Sequence, residues 1–321
     1  MTELASTRLA FTAGLLELAA CDPRVVLVCA DSGKVVRADS FVQAYPDRWF
    51  DVGIAEQNAV ALAAGLASCG LMPFVATYAA FVTMRACEQV RTFVAYPGLN
   101  VKLIGANGGL AAGEREGVTH QFFEDLGIVR TIPGITVVAP ADAGQVKKAV
   151  GALAAVPGPA YLRIGSGRDP VILPDDAPFE LGKARIVEEH GRDVAIFAFG
   201  VMLLRAIEAA RALKRMGIGA TVVEVHTLRP LDVDTIAGLL RATGAAVTAE
   251  DHNIIGGLGS AIAEVSAEHA PVPLVRVGLR DVYPESGEPE PLLDRYGMGV
   301  TDIIQAAVRA VEGKTRQQRG D

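Results

Sequence analysis

The sequence predicts an α/β fold made of two doubly wound domains, in which helices cover both faces of mostly parallel sheets. Short valine-rich runs such as Val25–Ala30 alternate along the chain with alanine-rich stretches of helical apolar spacing. Half of the residues are hydrophobic and only 21% are charged, so the chain can bury large cores. This alternation of strand and helix patterns is typical of parallel sheets.

The first domain is predicted over residues 1–170, followed by a linker over 171–190 and a second domain over 191–321. Helical spacing at 5–20 precedes strands at 25–30, 49–52, 73–77, 101–105 and 135–139, with helices at 59–67, 82–94 and 145–155. The stretch 165–192 is dense in Gly, Pro and Asp and loses helical periodicity, which indicates the linker. The same alternation then resumes, with strands at 194–199, 222–225, 246–249 and 274–277 and helices at 201–216, 232–243, 257–268 and 301–312. A polar tail from Gly313 is predicted to be frayed.

Charge and composition exclude several classes of protein. The net charge of −7 and the lack of a Lys/Arg-rich patch argue against a nucleic-acid partner. Neither a signal peptide nor an apolar run of about 20 residues is visible, so no membrane association is expected. The four cysteines show neither CxxC nor metal-ligand spacing and are interpreted as reduced core thiols. These features predict a cytoplasmic protein.

Two features of the first domain have both a structural and a functional interpretation. Glu56 stands where a strand gives way to an alanine-rich helix, as either a helix-start residue or a buried functional acid. Spacing alone favours the helix-start role. Tyr78 and Phe81 lie three residues apart after a strand. The motif alone favours ordinary core packing, although aromatic rings are also the usual platform for a flat heterocycle.

A glycine-rich segment from Gly108 to Gln121 contains His120 beside Thr119. Glycine at this density lets backbone approach a ligand closely, and the polar neighbours favour a donor at the mouth of a pocket over a core histidine. The spacing matches neither a dinucleotide fingerprint nor a phosphate-binding P-loop. No Ser-His-Asp order, HExxH motif or metal-ligand cluster offers a competing site.

Several motifs together resemble the transketolase family, including its deoxyxylulose-phosphate synthases. The first domain resembles the family's pyrimidine-binding domain in Gly53-Ile-Ala-Glu-Gln-Asn58, Tyr78-x-x-Phe81, Gly117-Val-Thr-His-Gln121 and Pro140-Ala-Asp142. The second resembles the family's C-terminal domain in the motifs Val247-Thr-Ala-Glu-Asp-His-Asn-Ile-Ile-Gly-Gly-Leu-Gly259 and Glu285-Ser-Gly-Glu-Pro289. The resemblance covers nearly the whole chain, and the order and spacing of the motifs match.

The resemblance implies a site for thiamine diphosphate. Glu56 matches a glutamate that hydrogen-bonds the cofactor's pyrimidine ring and so promotes loss of the proton at thiazolium C2. Tyr78 and Phe81 match aromatic residues around the pyrimidine, with Phe81 as the stacking ring. Asp31 matches an aspartate on the cofactor side. With these matches the catalytic role of Glu56 replaces the helix-start role as the prediction.

The resemblance also implies substrate contacts. His120 matches a histidine that donates to sugar oxygens, and Arg8, 23 residues before Asp31, matches an arginine that binds the substrate phosphate. Asn107 stands where many members have a substrate-binding histidine. Arg115 lies in a loop one residue longer than the common version, and Ser166 replaces an expected phosphate arginine. The sugar therefore stays open: a phosphorylated, branched or modified ketose is expected.

The family's diphosphate and magnesium site is absent from this sequence. That site uses a Gly-Asp-Gly turn and a later asparagine in an N-terminal domain, and no Gly-Asp-Gly occurs here. The resemblance therefore implies a separate N-terminal-section subunit that supplies the Mg²⁺ ligands. It implies an α2β2 assembly in which two copies of this chain pair, and no activity without the partner.

The leading prediction is a subunit of a split transketolase, which transfers a two-carbon ketol unit from a ketose to an aldose. Deoxyxylulose-phosphate synthase shares Gly-Ile-Ala-Glu-Gln but is normally one long chain. The β subunit of a 2-oxo acid dehydrogenase is also split but typically lacks the Thr-His-Gln loop. A non-catalytic paralogue is a further alternative, against which Glu56, Phe81 and His120 argue.

Overall fold

The computed structural model describes residues 3–111 and 117–319, whose strands form two mostly parallel sheets and one short antiparallel pair. The first sheet consists of β2 (Val25–Cys29), β3 (Trp49–Asp51), β4 (Met72–Tyr78), β5 (Lys102–Ala106), β6 (Thr136–Val138), β7 (Ala160–Arg163) and β12 (Thr227–Arg229). Its order is β12-β6-β7-β5-β4-β2-β3, and only β12 is antiparallel to its neighbour. Strands β2, β5 and β7 are buried at every position, as expected of a sheet covered on both faces.

The second sheet consists of β9 (Arg185–Glu189), β10 (Val194–Ala198), β11 (Ala220–Glu224), β13 (Ala246–Asn253) and β14 (Leu274–Leu279). Its order is β14-β13-β10-β11-β9, with β9 antiparallel to β11. Strand β9 falls inside the predicted linker. It pairs on one edge only, and its charged, half-exposed side chains leave little of the apolar pattern by which a strand is predicted from sequence. The remaining pair joins β1 (Leu4–Ala5) to β8 (Asp169–Pro170).

Helices cover the faces of both sheets. Those of the first domain are α1 (Thr7–Cys21), α2 (Asp39–Ala44), α3 (Glu56–Ser68), α4 (Cys87–Gln89), α5 (Asp125–Thr131) and α6 (Ala143–Ala155), with wider helical turns at Phe81–Arg85 and Val90–Ala95 flanking α4. Those of the second are α7 (Met202–Arg215), α8 (Val233–Thr243), α9 (Leu258–His269), α10 (Pro289–Arg295) and α11 (Val300–Arg319). Helix α11 continues past Gly313, and Lys314 Nζ donates to Thr243 O at 2.7 Å, so the predicted fraying from Gly313 is wrong.

Asp142 of the Pro-Ala-Asp motif has a structural role. Its Oδ1 accepts from Gln145 N at 3.0 Å and caps the start of α6. Its Oδ2 accepts from the backbone N–H groups of Ile172 and Leu173 at 3.0 and 2.8 Å. One carboxylate therefore fixes both a helix start and the first residues of the linker.

The two domains share a core and a sheet. Strand β12 follows β11 of the second domain but adds to β6 of the first sheet, where Thr227 pairs with Val138. One cluster of buried side chains contains members of both sheets, among them Val137 and Phe197. The chain thus crosses back from the second unit to the first. The division at 1–170, 171–190 and 191–321 stays a prediction.

The four cysteines are free, but Cys21 and Cys69 are exposed while Cys29 is buried. The prediction that all four are core thiols is therefore wrong.

In the part of the chain that the structure describes, no helix combines the length and apolar character needed to cross a membrane.

Candidate active site

The predicted site residues lie along one edge of the first sheet. Four neighbouring parallel strands lie in the spatial order β5, β4, β2 and β3. At or just beyond their carboxyl ends stand, in the same order, Asn107, Tyr78, Asp31 and, after a short turn, Glu56. From β2 the chain moves outward to β3, whereas from β4 it moves to β5 on the opposite side. Such a reversal opens a crevice at the carboxyl ends of the strands, where open α/β sheets bind ligands.

The turn that leads to Glu56 is fixed by one carboxylate. Asp51 Oδ1 accepts from the N–H groups of Asp31 and Gly53, both at 2.9 Å. Asp31 and Gly53 have positive φ of 55° and 70°, conformations that Asp and Gly tolerate better than most residues. The loop after β2 is thereby tied to the start of α3. Asp31 itself is exposed at this edge.

Glu56 is a buried acid with a basic partner. It is the first residue of α3, and its side chain is only 2% exposed. Its Oε2 accepts from Arg85 Nη1 at 2.8 Å. Because the preceding residue Ala55 provides no side-chain cap, the helix start gains nothing from a capping hydrogen bond. The carboxylate instead meets a guanidinium from the segment after β4.

Tyr78, Phe81 and His120 form one aromatic group. Ring centroids are 5.5 Å apart for Tyr78 and Phe81, 4.7 Å for Tyr78 and His120, and 5.2 Å for Phe81 and His120. All three pairs meet edge to face, the arrangement that aromatic quadrupoles favour. His120 Nδ1 lies 2.9 Å from Thr119 Oγ1, so a hydroxyl orients the imidazole. The glycine-rich loop thus meets the aromatic pair after β4.

Arg85 connects the acid to the aromatic group, and the sequence interpretation missed it. Its guanidinium carbon lies 4.0 Å from the centroid of the Phe81 ring, a cation–π contact. The available signal was spacing, because residues four apart in a helical segment share one face. Glu56, Arg85, Phe81, Tyr78 and His120 are therefore linked in one continuous series of contacts.

Arg8 and Asn107 form a second group of predicted site residues. Arg8 Nη2 donates to Asn107 Oδ1, and Arg8 Nε donates to Gly165 O at 3.3 Å. Asn107 is buried and has a positive φ of 58°, so its side chain is held at the turn after β5. The structure brings these two predicted substrate residues into direct contact, with Arg8 half-buried.

The arginines near Ser166 differ in their surroundings. Arg163 is only 6% exposed, and its Nε lies 3.2 Å from Asp125 Oδ2, so it belongs to a buried ion pair. Arg168 is exposed. Arg115, the loop residue near the expected substrate aspartate, lies outside the described residues. Among the described residues, Arg8 was predicted at the substrate, and it contacts a second predicted substrate residue, Asn107.

The linked residues Glu56, Arg85, Phe81, Tyr78 and His120 suit a flat heterocycle with a protonatable ring nitrogen. A buried carboxylate can hydrogen-bond such a nitrogen, and Tyr78 and Phe81 supply aromatic surface for the ring. The pyrimidine of thiamine diphosphate has these properties. The residues present therefore fit that part of the cofactor.

The sequence matches two family models, "Transketolase, pyrimidine binding domain" over residues 3–167 and "Transketolase, C-terminal domain" over residues 182–303. The chain belongs to the transketolase family, whose members depend on thiamine diphosphate. The predictions of family and fold class are confirmed.

Individual relatives are subunits or sections of transketolases. The chain is 43% identical over 300 residues to the 6-deoxy-6-sulfo-D-fructose transketolase subunit SqwH of Clostridium sp., covering 94% of this chain and 92% of that protein. It is 38% identical over 295 residues to a putative transketolase C-terminal section of Methanocaldococcus jannaschii, covering 91% and 92%. A solved structure described as a split gene transketolase, inactive beta4 tetramer, superposes with a TM-score of 0.88 at 40% identity, covering 97% of this chain and 99% of that one.

Proposed function

We propose that the chain is the pyrimidine-domain subunit of a split transketolase that transfers a two-carbon ketol unit from a ketose to an aldose. The continuous series Glu56–Arg85–Phe81–Tyr78–His120 at the carboxyl edge of the first sheet is the observation that supports this most directly. It combines an acid and aromatic rings with a hydrogen-bonding imidazole. The similarity to transketolase subunits over nearly the whole chain supports the same activity.

Glu56, Tyr78, Phe81 and Asp31 are the residues proposed to hold the cofactor. When bound, thiamine diphosphate supplies a nucleophilic thiazolium carbon that can accept the two-carbon unit. Glu56 holds a proton at the pyrimidine nitrogen, and the ring of Phe81 orients the heterocycle. Mg²⁺ and the diphosphate are proposed to bind on the partner subunit. The motif for that site is absent from this sequence.

His120, Arg8 and Asn107 are proposed to face the substrate. His120 donates to the sugar oxygens near the reacting carbons. Arg8 provides a positive charge at the second group, which suits a ketose with an anionic terminus. A phosphate has that character. So does the sulfonate in the substrate for which the Clostridium relative is named.

The assembly is proposed to be α2β2 and cytoplasmic. A solved relative made of β subunits alone is described as an inactive tetramer, which supports both self-association and the need for a partner. Two copies of this chain would pair, and each would complete one site with an N-terminal-section subunit. The partner provides the half of the cofactor site that this sequence does not encode.

Reconstitution tests the proposal. The purified chain should show no ketol transfer in a coupled assay, whereas the chain mixed with an N-terminal-section transketolase subunit should bind thiamine diphosphate and transfer ketol units. The control is the same mixture with Glu56→Gln. Full activity from the isolated chain would refute the split architecture.

The donor distinguishes the alternatives. A deoxyxylulose-phosphate synthase would take pyruvate and release carbon dioxide, and a 2-oxo acid dehydrogenase subunit would pass an acyl group to a lipoyl carrier. A non-catalytic paralogue would assemble without turnover of any donor. Transfer from a ketose without carbon dioxide release is the expected result.

A further inference from the structure

Asp251 reaches from the second domain into the loop that contains His120. It lies in β13 and is buried. Its Oδ1 accepts from Leu110 N at 2.7 Å, and its Oδ2 accepts from Ala111 N at 3.2 Å. A carboxylate whose two oxygens each accept a backbone N–H is a strong anchor.

The same loop is closed at its base and held at its other end. Gly109 N donates to Phe122 O at 2.7 Å. This hydrogen bond joins the segment that enters the loop to the segment that leaves it. Gln121 Nε2 donates to Glu285 O at 3.1 Å, a contact that again comes from the second domain. The second domain therefore contacts the loop on both sides of His120.

Gly109 shows how closely the carboxylate approaches. Its φ is +97°, and a Cβ there would lie 2.2 Å from Asp251 Oδ2. Any side chain at this position would both strain the backbone and collide with the anchor. The backbone of the loop entrance is shaped to receive this carboxylate.

Arg163 and the two N–H donors are the groups that stabilise the ionised Asp251 carboxyl. They offset only part of the effect of burial and of the nearby Asp125, which together raise the pKa of the Asp251 carboxyl above its ordinary value. Arg163 also donates from Nη2 to Phe122 O at 3.3 Å. The arginine thus contacts the base of the loop that the carboxylate holds.

We propose that Asp251 is a positioning residue that fixes the glycine-rich loop so that His120 stays beside Phe81 and Tyr78. The second domain thereby contributes to substrate binding although it lies outside the aromatic group. The effect of loop position on substrate binding rests on the proposed function, whereas the hydrogen bonds from the loop to Asp251 do not depend on it.

Hydrogen exchange tests the anchoring without any activity assay. If Asp251 holds the loop, Asp251→Asn should raise the exchange rate of the Leu110 and Ala111 N–H groups by roughly tenfold, since exchange requires their hydrogen bonds to open. Asp251→Ala, which loses both acceptors, should raise it further. Strand β10, buried at every position, reports unfolding, because exchange there requires that the second sheet opens.

Glu250 supplies the matched control. It precedes Asp251 in β13, is fully buried, and also accepts two backbone N–H groups, from Leu258 and Gly259. Those groups belong to α9 of its own domain. Glu250→Gln should therefore leave hydrogen exchange at Leu110 and Ala111 at the wild-type rate. Equal exchange rates at these two N–H groups in wild type and folded Asp251→Asn would overturn the proposal.

Kinetics of the assembled enzyme test the consequence. Asp251→Asn should raise the KM of the ketose by about tenfold and leave the concentration of thiamine diphosphate needed for half-maximal activity unchanged. A mere loss of stability would not separate these two values. If the wild-type assembly transfers no ketol unit, the proposed function fails, while the hydrogen-exchange result still decides the anchoring.

Discussion

Arg85 Nη1 lies 2.8 Å from Glu56 Oε2 while the same guanidinium covers the ring of Phe81. The buried carboxylate therefore has its countercharge on a side chain that is 46% exposed. The two groups proposed to receive the pyrimidine are both engaged by Arg85. Binding of the cofactor at Glu56 requires this arginine to share the carboxylate or to move toward solvent.

Glu56→Gln should reduce ketol transfer by roughly 10²- to 10⁴-fold, because the amide keeps the shape but cannot serve as the acid–base partner of the pyrimidine. The measurement is turnover of the assembled enzyme, with assembly checked by size. Glu88→Gln is the control, since Glu88 is an exposed carboxylate in the same helical segment as Arg85. Wild-type turnover in Glu56→Gln would remove Glu56 from the mechanism.

Arg85→Ala should lower the free energy of unfolding by about 1–3 kcal/mol, because it leaves a buried carboxylate without its partner. The loss should lie toward the lower value, since Arg85 is half in solvent. In the double variant with Glu56→Gln, most of the loss should disappear. Urea unfolding of the four proteins in this cycle measures the coupling, and strictly additive effects would show that the ion pair contributes nothing.

Arg8→Ala should lower kcat/KM for an anionic ketose by about tenfold to a hundredfold, the effect of one charge-assisted hydrogen bond. An uncharged acceptor such as glycolaldehyde should be nearly unaffected. Asn107→Ala should also lower kcat/KM selectively for the anionic ketose, but by less, because Asn107 Oδ1 only orients the Arg8 guanidinium. Equal losses for charged and uncharged substrates would make Arg8 a structural residue.

His120→Ala should penalise charged and uncharged substrates alike, because the imidazole is proposed to act near the reacting carbons that they share. A fall in kcat/KM by roughly tenfold or more is expected for both. Thr119→Val is the companion variant, since it removes only the hydroxyl that lies 2.9 Å from His120 Nδ1. Its loss should be smaller and in the same direction. A selective effect of His120→Ala on the charged substrate would contradict this assignment.

Glu250 should make stability fall as pH rises. Burial raises its pKa from 4.5 to about 8 in the folded chain. The folded state therefore holds the proton more tightly, so the contribution is complete below pH 4.5 and is lost as pH rises through 8. Between these values one such group lowers the free energy of unfolding by about 1.4 kcal/mol per pH unit. Urea unfolding of wild type and Glu250→Gln between pH 5 and 8 should show a shallower fall in the variant; identical slopes would exclude the linkage.

Much of the fold could be predicted because local pattern and tertiary context agree. The buried run at β2 and the alternation that follows it determine a parallel sheet, and its carboxyl edge contains Glu56, Tyr78 and Asn107. Motifs of the resemblance further singled out Phe81 and His120, which the structure places together. That their roles are catalytic stays a prediction.

What the sequence did not reveal depends on contacts distant along the chain. Strand β9 has charged, half-exposed side chains, so its pairing with β11 leaves little apolar pattern to detect. Asp251 was visible within a motif, yet its hydrogen bonds reach residues 140 and 141 positions away. Arg85 could have been found from its spacing to Phe81, but its pairing with Glu56 needs the approach of two separate helical segments.

The return of β12 to the first sheet determines where the polypeptide can be cut. A fragment that stops within residues 171–190 leaves β6 with an unpaired row of backbone groups along its outer side, a surface that invites strand addition and aggregation. Extending such a fragment through Arg229 restores that border but divides β11 and β13 of the neighbouring unit between two pieces. A cut at either place therefore exposes a strand edge of the first sheet or breaks the pairing order of the second.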